Sequence, residues 1–252
     1  MSEKRKLRLD LMVAERGLAE SQSKAAALIL AGTIAVEGRI VTKPGYPVAP
    51  EAAIALRENP LPYVSRGGLK LAPALEQLAI EVKGKVALDI GAATGGFTDC
   101  LLTRGAKKVY AVDVGKGLLH WKLRHDPRIV VLEKINARYL DSALIPEPID
   151  LAAVDVSFIS LDKILPPLTR LIKPGGLILA LVKPQFEVGK GEVGKGGVVR
   201  DPAKQKQAVD RIADFARSLG LKEKGRAPSR IKGPKGNQEH FLFLQVSARK
   251  TK

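Results

Sequence analysis

The chain has 252 residues, and 42 Lys plus Arg against 26 Asp plus Glu give it a formal charge of +16. Its 45% apolar content is enough for an ordinary core, which excludes a disordered or fibrous protein, and one cysteine excludes a disulfide framework or a Cys-rich zinc site. The apolar run Leu177–Val182 falls far short of the roughly 20 residues that span a bilayer, and the charged start Met1–Lys6 has no apolar stretch behind it, so a basic cytoplasmic protein with no membrane segment is expected.

Leu9, Met12, Val13 and Leu18 recur at helical spacing around Gly17, and Ser21 or Ser23 can cap a second helix over 24–31 that Gly32 stops. Thr33–Val36, the turn pair Glu37-Gly38 and Arg39–Thr42 follow as a hairpin. These predict a small α+β module over residues 1–58. The Pro-rich stretch Arg57–Tyr63 reads as a linker, set at 59–66, before a second domain over 67–252. In that domain Lys70 lies at the start of a helix, and strands then alternate with helices. The strand candidates are Lys85–Ile90, Lys108–Val114, Arg128–Leu132, Leu151–Val156 and Gly176–Val182, and their near-continuous Val, Ile, Leu and Ala suit strands buried on both faces. Asp201 caps a helix that starts at Pro202 and runs to about Leu219. Leu221–Ala227 and His240–Val246 close the chain as two strands around a basic loop. The fold class expected is α/β: a Rossmann-like parallel sheet ending in an antiparallel hairpin, which resembles Class I methyltransferases, with a small N-terminal α+β domain.

The most informative segment is Asp89-Ile90-Gly91-Ala92-Ala93-Thr94-Gly95-Gly96-Phe97-Thr98, which leaves a strand and opens a helix. A dinucleotide fingerprint needs Gly where Ala93 stands, so a pyrophosphate ligand is disfavoured, as is a nicotinamide oxidoreductase. Asp89 and Asp113, each at a strand end, fit a nucleoside whose ribose hydroxyls are held by carboxylates, and an acidic rim suits a sulfonium. The reading is an S-adenosyl-L-methionine site over Asp89, Gly91, Ala92, Thr94, Gly95, Gly96, Phe97, Thr98, Asp113, Val114 and Asn136. Four further polar residues stand at strand ends or turns where a core would reject them: Lys70, Asp155, Lys183 and Glu239. Asp155 and Lys183 must emerge together at the carboxyl edge of the sheet.

The phrases Asp155-Val156-Ser157-Phe158-Ile159-Ser160, Lys183-Pro184-Gln185-Phe186-Glu187-Val188-Gly189, Gly196-Gly197-Val198-Val199-Arg200-Asp201 and Lys232-Gly233-Pro234-Lys235-Gly236-Asn237-Gln238-Glu239 resemble the TlyA/hemolysin A family of ribosomal RNA methyltransferases. The resemblance covers nearly the whole chain, and the N-terminal module is similar to the small α-L RNA-binding domain. It implies an FtsJ-like methyltransferase domain whose Lys-Asp-Lys-Glu tetrad, for ribose 2′-O-methylation, falls on Lys70, Asp155, Lys183 and Glu239. It also implies a cytidine of small- or large-subunit rRNA as target. Ala93, Tyr63 and Gln22 depart from the family's Ser, Trp and Arg. A neutral Lys183 would serve as base; a charged one would orient the hydroxyl and stabilise the alkoxide.

Charge placement fits an RNA partner. Residues 1–60 carry a net +2 and residues 61–252 a net +14, with six basic residues over 222–235. The RNA contacts expected are Arg5, Lys6, Arg8, Arg16 and Lys24 of the module, with its acids on another face, together with Arg66, Arg230, Lys232 and Lys235. His120, Trp121 and His125 read as a surface helix end rather than a metal or base-stacking site, and Cys100 as a packed thiol. The Gly-rich stretch 189–197 reads equally as a mobile loop or a lid. A monomer is expected. The competing readings are a non-catalytic RNA-binding or assembly protein with a relic cofactor fold, and a pore former, which the missing membrane segment disfavours.

Overall fold

The computed structural model describes residues 6–56, 62–233 and 235–247. The N-terminal module contains β1 (Leu7–Arg8), α1 (Leu9–Glu15), α2 (Gln22–Leu30), β2 (Ile34–Val36), β3 (Arg39–Ile40), β4 (Pro47–Val48) and β5 (Ile54–Leu56). Ser21 caps α2 by accepting from the Lys24 amide at 3.2 Å, which starts the helix two residues ahead of the expected position. The expected hairpin is β2 and β3; β5 adds to the other edge of β2, and β1 pairs with β4. Leu9, Val13, Ile29 and Ile34 form its buried centre.

The larger domain runs α3 (Arg66–Gln77), β6 (Val86–Ile90), α4 (Gly96–Thr103), β7 (Lys108–Asp113), α5 (Trp121–Arg124), β8 (Ile129–Glu133), β9 (Ile149–Val154), α6 (Leu165–Leu171), β10 (Ile172–Val182), α7 (Pro184–Glu187), α8 (Pro202–Ser218), β11 (Leu221–Pro228) and β12 (His240–Val246). The sheet order is β11-β12-β10-β9-β6-β7-β8. β6 to β10 are parallel, while β12 and β11 pair antiparallel at one edge, as the sequence predicts. Asp201 caps α8 through the Ala203 amide at 2.8 Å.

The strands are buried on both faces, and their alternation divides the core. Val86, Leu88 and Ile90 point to the side covered by α6 and α8; Ala87 points to the side covered by α3 and α4. Each fully buried Leu or Ile of this kind stabilises the fold by roughly 1.5–3 kcal/mol. β6 lies between β7 and β9, where the chain direction of winding reverses. Loops leaving the carboxyl ends of neighbouring strands diverge at such a point and leave a crevice.

Candidate functional site

The loop after β6 enters that crevice. Gly91 has φ +85°, and a Cβ there would stand 2.4 Å from the Asp155 carbonyl, so only glycine lets the two strand ends meet. At Gly96 a Cβ would lie 2.3 Å from Ser65 Oγ and 2.9 Å from Gly67 Cα, so the start of α3 rests directly on the turn. These approaches frame a cavity of about 280 Å³ whose walls include Arg66, Lys70, Ala92, Thr94, Asp155 and Lys232.

The four polar residues come together here as two ion pairs. Lys70 Nζ donates to Glu239 Oε2 at 2.7 Å, with side chains 11% and 1% exposed. Lys183 Nζ lies 2.5 Å from Asp155 Oδ1 and donates to Ser157 Oγ at 2.9 Å. Asp155 follows β9, Lys183 follows β10, and Glu239 precedes β12. Because Val182 pairs with His240, the antiparallel register sets Lys183 and Glu239 at adjoining strand ends.

The cofactor candidates divide into three groups. Gly91, Ala92, Thr94, Gly96 and Phe97 border the cavity. Asp113 accepts from the Ala93 amide at 2.9 Å and the Gly115 amide at 2.7 Å, which fixes the turn while Val114, 69% exposed, and Asn136, which accepts from Arg138 N, lie open beyond it. Gly95 and Thr98 are buried, and so is Asp89. Asp89 requires a correction: it shares the phase of Ala87, points under α4, is fully buried and accepts from Thr98 Oγ1 at 2.6 Å, so it is not placed to hold ribose hydroxyls. Burial raises its carboxyl from 3.8 to about 7. Its Oδ1 is buried without a hydrogen-bond partner.

The RNA candidates are more tied down than expected. Arg8 forms a two-point pair with Asp10, at 3.0 and 2.6 Å, Lys24 pairs with Glu20, and Arg16 donates to the Ala52 and Pro50 carbonyls at 2.7 and 2.5 Å. The module's acids therefore sit among its bases, not on a separate face. Lys6, Arg66, Arg230, Lys232 and Lys235 are exposed, and Arg5 lies outside the described residues. Half of the basic 222–235 segment belongs to β11 rather than a loop, and Arg226 is bound to Glu223 and Asp210. The Gly-rich stretch contains a short 3₁₀ turn over 190–192 and a bridge between Gly194 and Val198.

Sequence reasoning missed a buried anchor beside the tetrad. Glu187, 7% exposed, accepts from Ser160 Oγ at 2.6 Å, from the Leu161 amide at 2.9 Å and from the Arg211 guanidinium of α8. It fastens the Asp155–Ser160 loop to the segment following Lys183. The only signal was a carboxylate set between the apolar Phe186 and Val188.

Residues 63–246 match the model of the FtsJ-like methyltransferase family, and residues 7–54 match the S4 domain. The chain belongs to the FtsJ-like methyltransferase family. It is 47% identical to the 16S/23S rRNA (cytidine-2′-O)-methyltransferase TlyA of Mycobacterium tuberculosis, over 96% of this chain and 91% of that protein. It is 43% identical to Hemolysin A of Brachyspira hyodysenteriae, covering 95% of this chain and 100% of the relative. A solved structure from Streptococcus thermophilus described as a hemolysin superposes with a TM-score of 0.75 at 40% identity, over 97% of this chain and 90% of that one. An FtsJ-like enzyme takes its methyl group from S-adenosylmethionine. The residues present fit that group: at Gly91 and Gly96 a Cβ would collide with the Asp155 carbonyl and Ser65 Oγ, so glycine backbone holds the turn against the cavity that Asp155 also lines. No helix among the described residues is long and apolar enough to cross a membrane.

Proposed function

We propose that this protein methylates a ribose 2′-hydroxyl of ribosomal RNA, on a cytidine of one or both subunits, in the cytoplasm. The observation that carries the reading is that one member of each pair, Lys70 of Lys70–Glu239 and Asp155 of Lys183–Asp155, lines the same cavity beside the glycine turn. The name of the 47% identical mycobacterial relative supports the same substrate.

Bound S-adenosylmethionine supplies an electrophilic methyl group. The protein's own residues prepare the hydroxyl. Lys183 already donates to Ser157 and faces Asp155, an arrangement that suits an ammonium which orients the 2′-oxygen and stabilises the charge that develops on it. The departing proton then goes to Asp155, whose carboxylate is the acceptor nearest to Lys183. Lys70 and Glu239 form the adjoining pair, and the S4 domain with the exposed bases near Arg66, Arg230, Lys232 and Lys235 grips the RNA. Residues 1–58 serve as the RNA anchor, 59–66 as linker and 67–252 as the catalytic domain.

The test is tritium transfer from labelled cofactor to separated ribosomal subunits, followed by nucleoside mapping. Label in a 2′-O-methylated nucleoside is expected. Binding of rRNA with no transfer by folded protein would favour the non-catalytic assembly reading instead.

A further inference from the structure

We propose that Trp121 is a stacking platform for an unpaired RNA base lying in the cleft between the N-terminal module and the methyltransferase domain. This rests on the reading of the protein as an RNA enzyme, and adds a contact that neither the tetrad nor the basic surface supplies.

A cleft of about 690 Å³ separates Leu18, Lys24 and Leu28 of the module from Leu118, His120 and Trp121. Trp121 is 64% exposed, so an indole stands in solvent where a folded protein would ordinarily bury it. It is not loosely held. His120 stacks on it with centroids 5.9 Å apart and planes 28° apart, and His125 Nδ1 is 2.7 Å from its carbonyl oxygen. Leu119 and Leu123 on either side are buried, and the His120 amide donates to the Thr94 carbonyl at 3.2 Å. The platform is thereby fixed to the same glycine turn that borders the candidate site.

Its electrostatics favour RNA. Lys122 Nζ lies 5.8 Å from the indole centroid, and Lys116 is exposed on the same loop. A base that stacks on the indole takes the place of the Lys122 ammonium over the ring, and the displaced ammonium is then at hand for the adjoining phosphate. An RNA strand engaged by both domains must cross their junction, where this face lies.

Trp121 is the chain's single tryptophan, so its emission reports this position alone. The full-length protein is titrated with an RNA stem-loop carrying a cytidine-rich loop, and separately with S-adenosylhomocysteine. RNA is expected to quench the indole. Trp121→Ala should weaken RNA binding about 5- to 150-fold, the equivalent of roughly 1–3 kcal/mol for one stacked base, with an unchanged salt slope because no phosphate contact is lost. Trp121→Phe should retain most of the affinity. Filter binding that shows RNA bound with no quench, and equal affinity for Trp121→Ala, would overturn the platform while leaving the enzyme reading intact. Quenching by S-adenosylhomocysteine and not by RNA would assign the indole to the cofactor and also overturn it. Absence of RNA binding together with absence of tritium transfer would remove both readings.

Discussion

Asp89 offers a direct measurement of what burial beneath the glycine turn costs. Its carboxyl is fully buried and accepts from Thr98, and burial raises its pKa from the ordinary 3.8 to about 7. Between these values the folded protein binds the proton that the unfolded chain releases. The associated stability is therefore full below about pH 4 and is lost as pH rises to about 7. At 1.36 kcal/mol per pH unit the gap from 3.8 to about 7 corresponds to on the order of 4 kcal/mol. Asp89→Asn keeps an acceptor for Thr98 and removes the charge. Urea unfolding, followed by the emission of Trp121 in the same domain, compares the variant with the parent from pH 4 to 8; taking the difference cancels the titrations they share. The two should match near pH 4, and the variant should gain several kcal/mol by pH 8. Parallel stability curves across that range would show that Asp89 is ionised in the fold without penalty, and the burial argument would fail.

Lys183→Ala should still bind cofactor and RNA but lose about 100-fold or more in turnover, as measured by tritium incorporation; parental rates would reduce Lys183 to a structural partner of Asp155. Lys183→Arg keeps charge without a releasable proton, so substantial retained activity would support orientation of the hydroxyl over a neutral-lysine base. Asp113→Ala removes the acceptor for the Ala93 and Gly115 amides along with the carboxylate proposed to hold the ribose, and calorimetry should show cofactor affinity about 10- to 150-fold weaker, from roughly 1.5–3 kcal/mol per charge-assisted bond. Deleting residues 1–58 should weaken rRNA binding and flatten its salt dependence by about 0.7–0.9 log units per lost phosphate contact; equal slopes for both forms would mean the module is not an RNA anchor.

The sheet was legible because five apolar runs separated by helical stretches admit few arrangements, and the tetrad because Asp155, Lys183 and Glu239 interrupt or bound those runs. What the sequence concealed was pairing. Nothing in the spacing of Lys70 and Glu239, 169 residues apart, joins them: the register of β10 on β12 sets Glu239 beside Lys183, and Lys70 reaches Glu239 from α3. β1, β4 and β5 were not read because each is two or three residues long and pairs with a partner remote in sequence, without the turn pair that marks β2 and β3. Asp89 was misassigned although its phase was readable: with Val86, Leu88 and Ile90 on one face, Asp89 must follow Ala87 to the other. Lys24 and Glu20 are four apart, a spacing that predicts their pairing, whereas Arg16's bonds to the Pro50 and Ala52 carbonyls depend on a loop packing against α1.

The two ion pairs also explain how a protein of charge +16 keeps its reaction centre from being a mere extension of its basic surface. Lys70 and Lys183 are each matched by a carboxylate and almost withdrawn from water, so the four groups sum to no net charge. Buried pairs of this kind return little net stability, because desolvation offsets their attraction, while removal of one partner leaves a buried charge that is strongly destabilising. Their presence at the sheet edge therefore favours the proposed catalytic role over a role in folding. On the proposed reading, RNA is attracted by cations such as Arg66 and Lys232, which are exposed on the rim, where counterion release operates. In the proposed mechanism the Lys183 ammonium, held by Asp155, orients the 2′-hydroxyl, and Asp155 takes its proton as the oxygen attacks the methyl group, the ammonium stabilising the charge that develops on the oxygen.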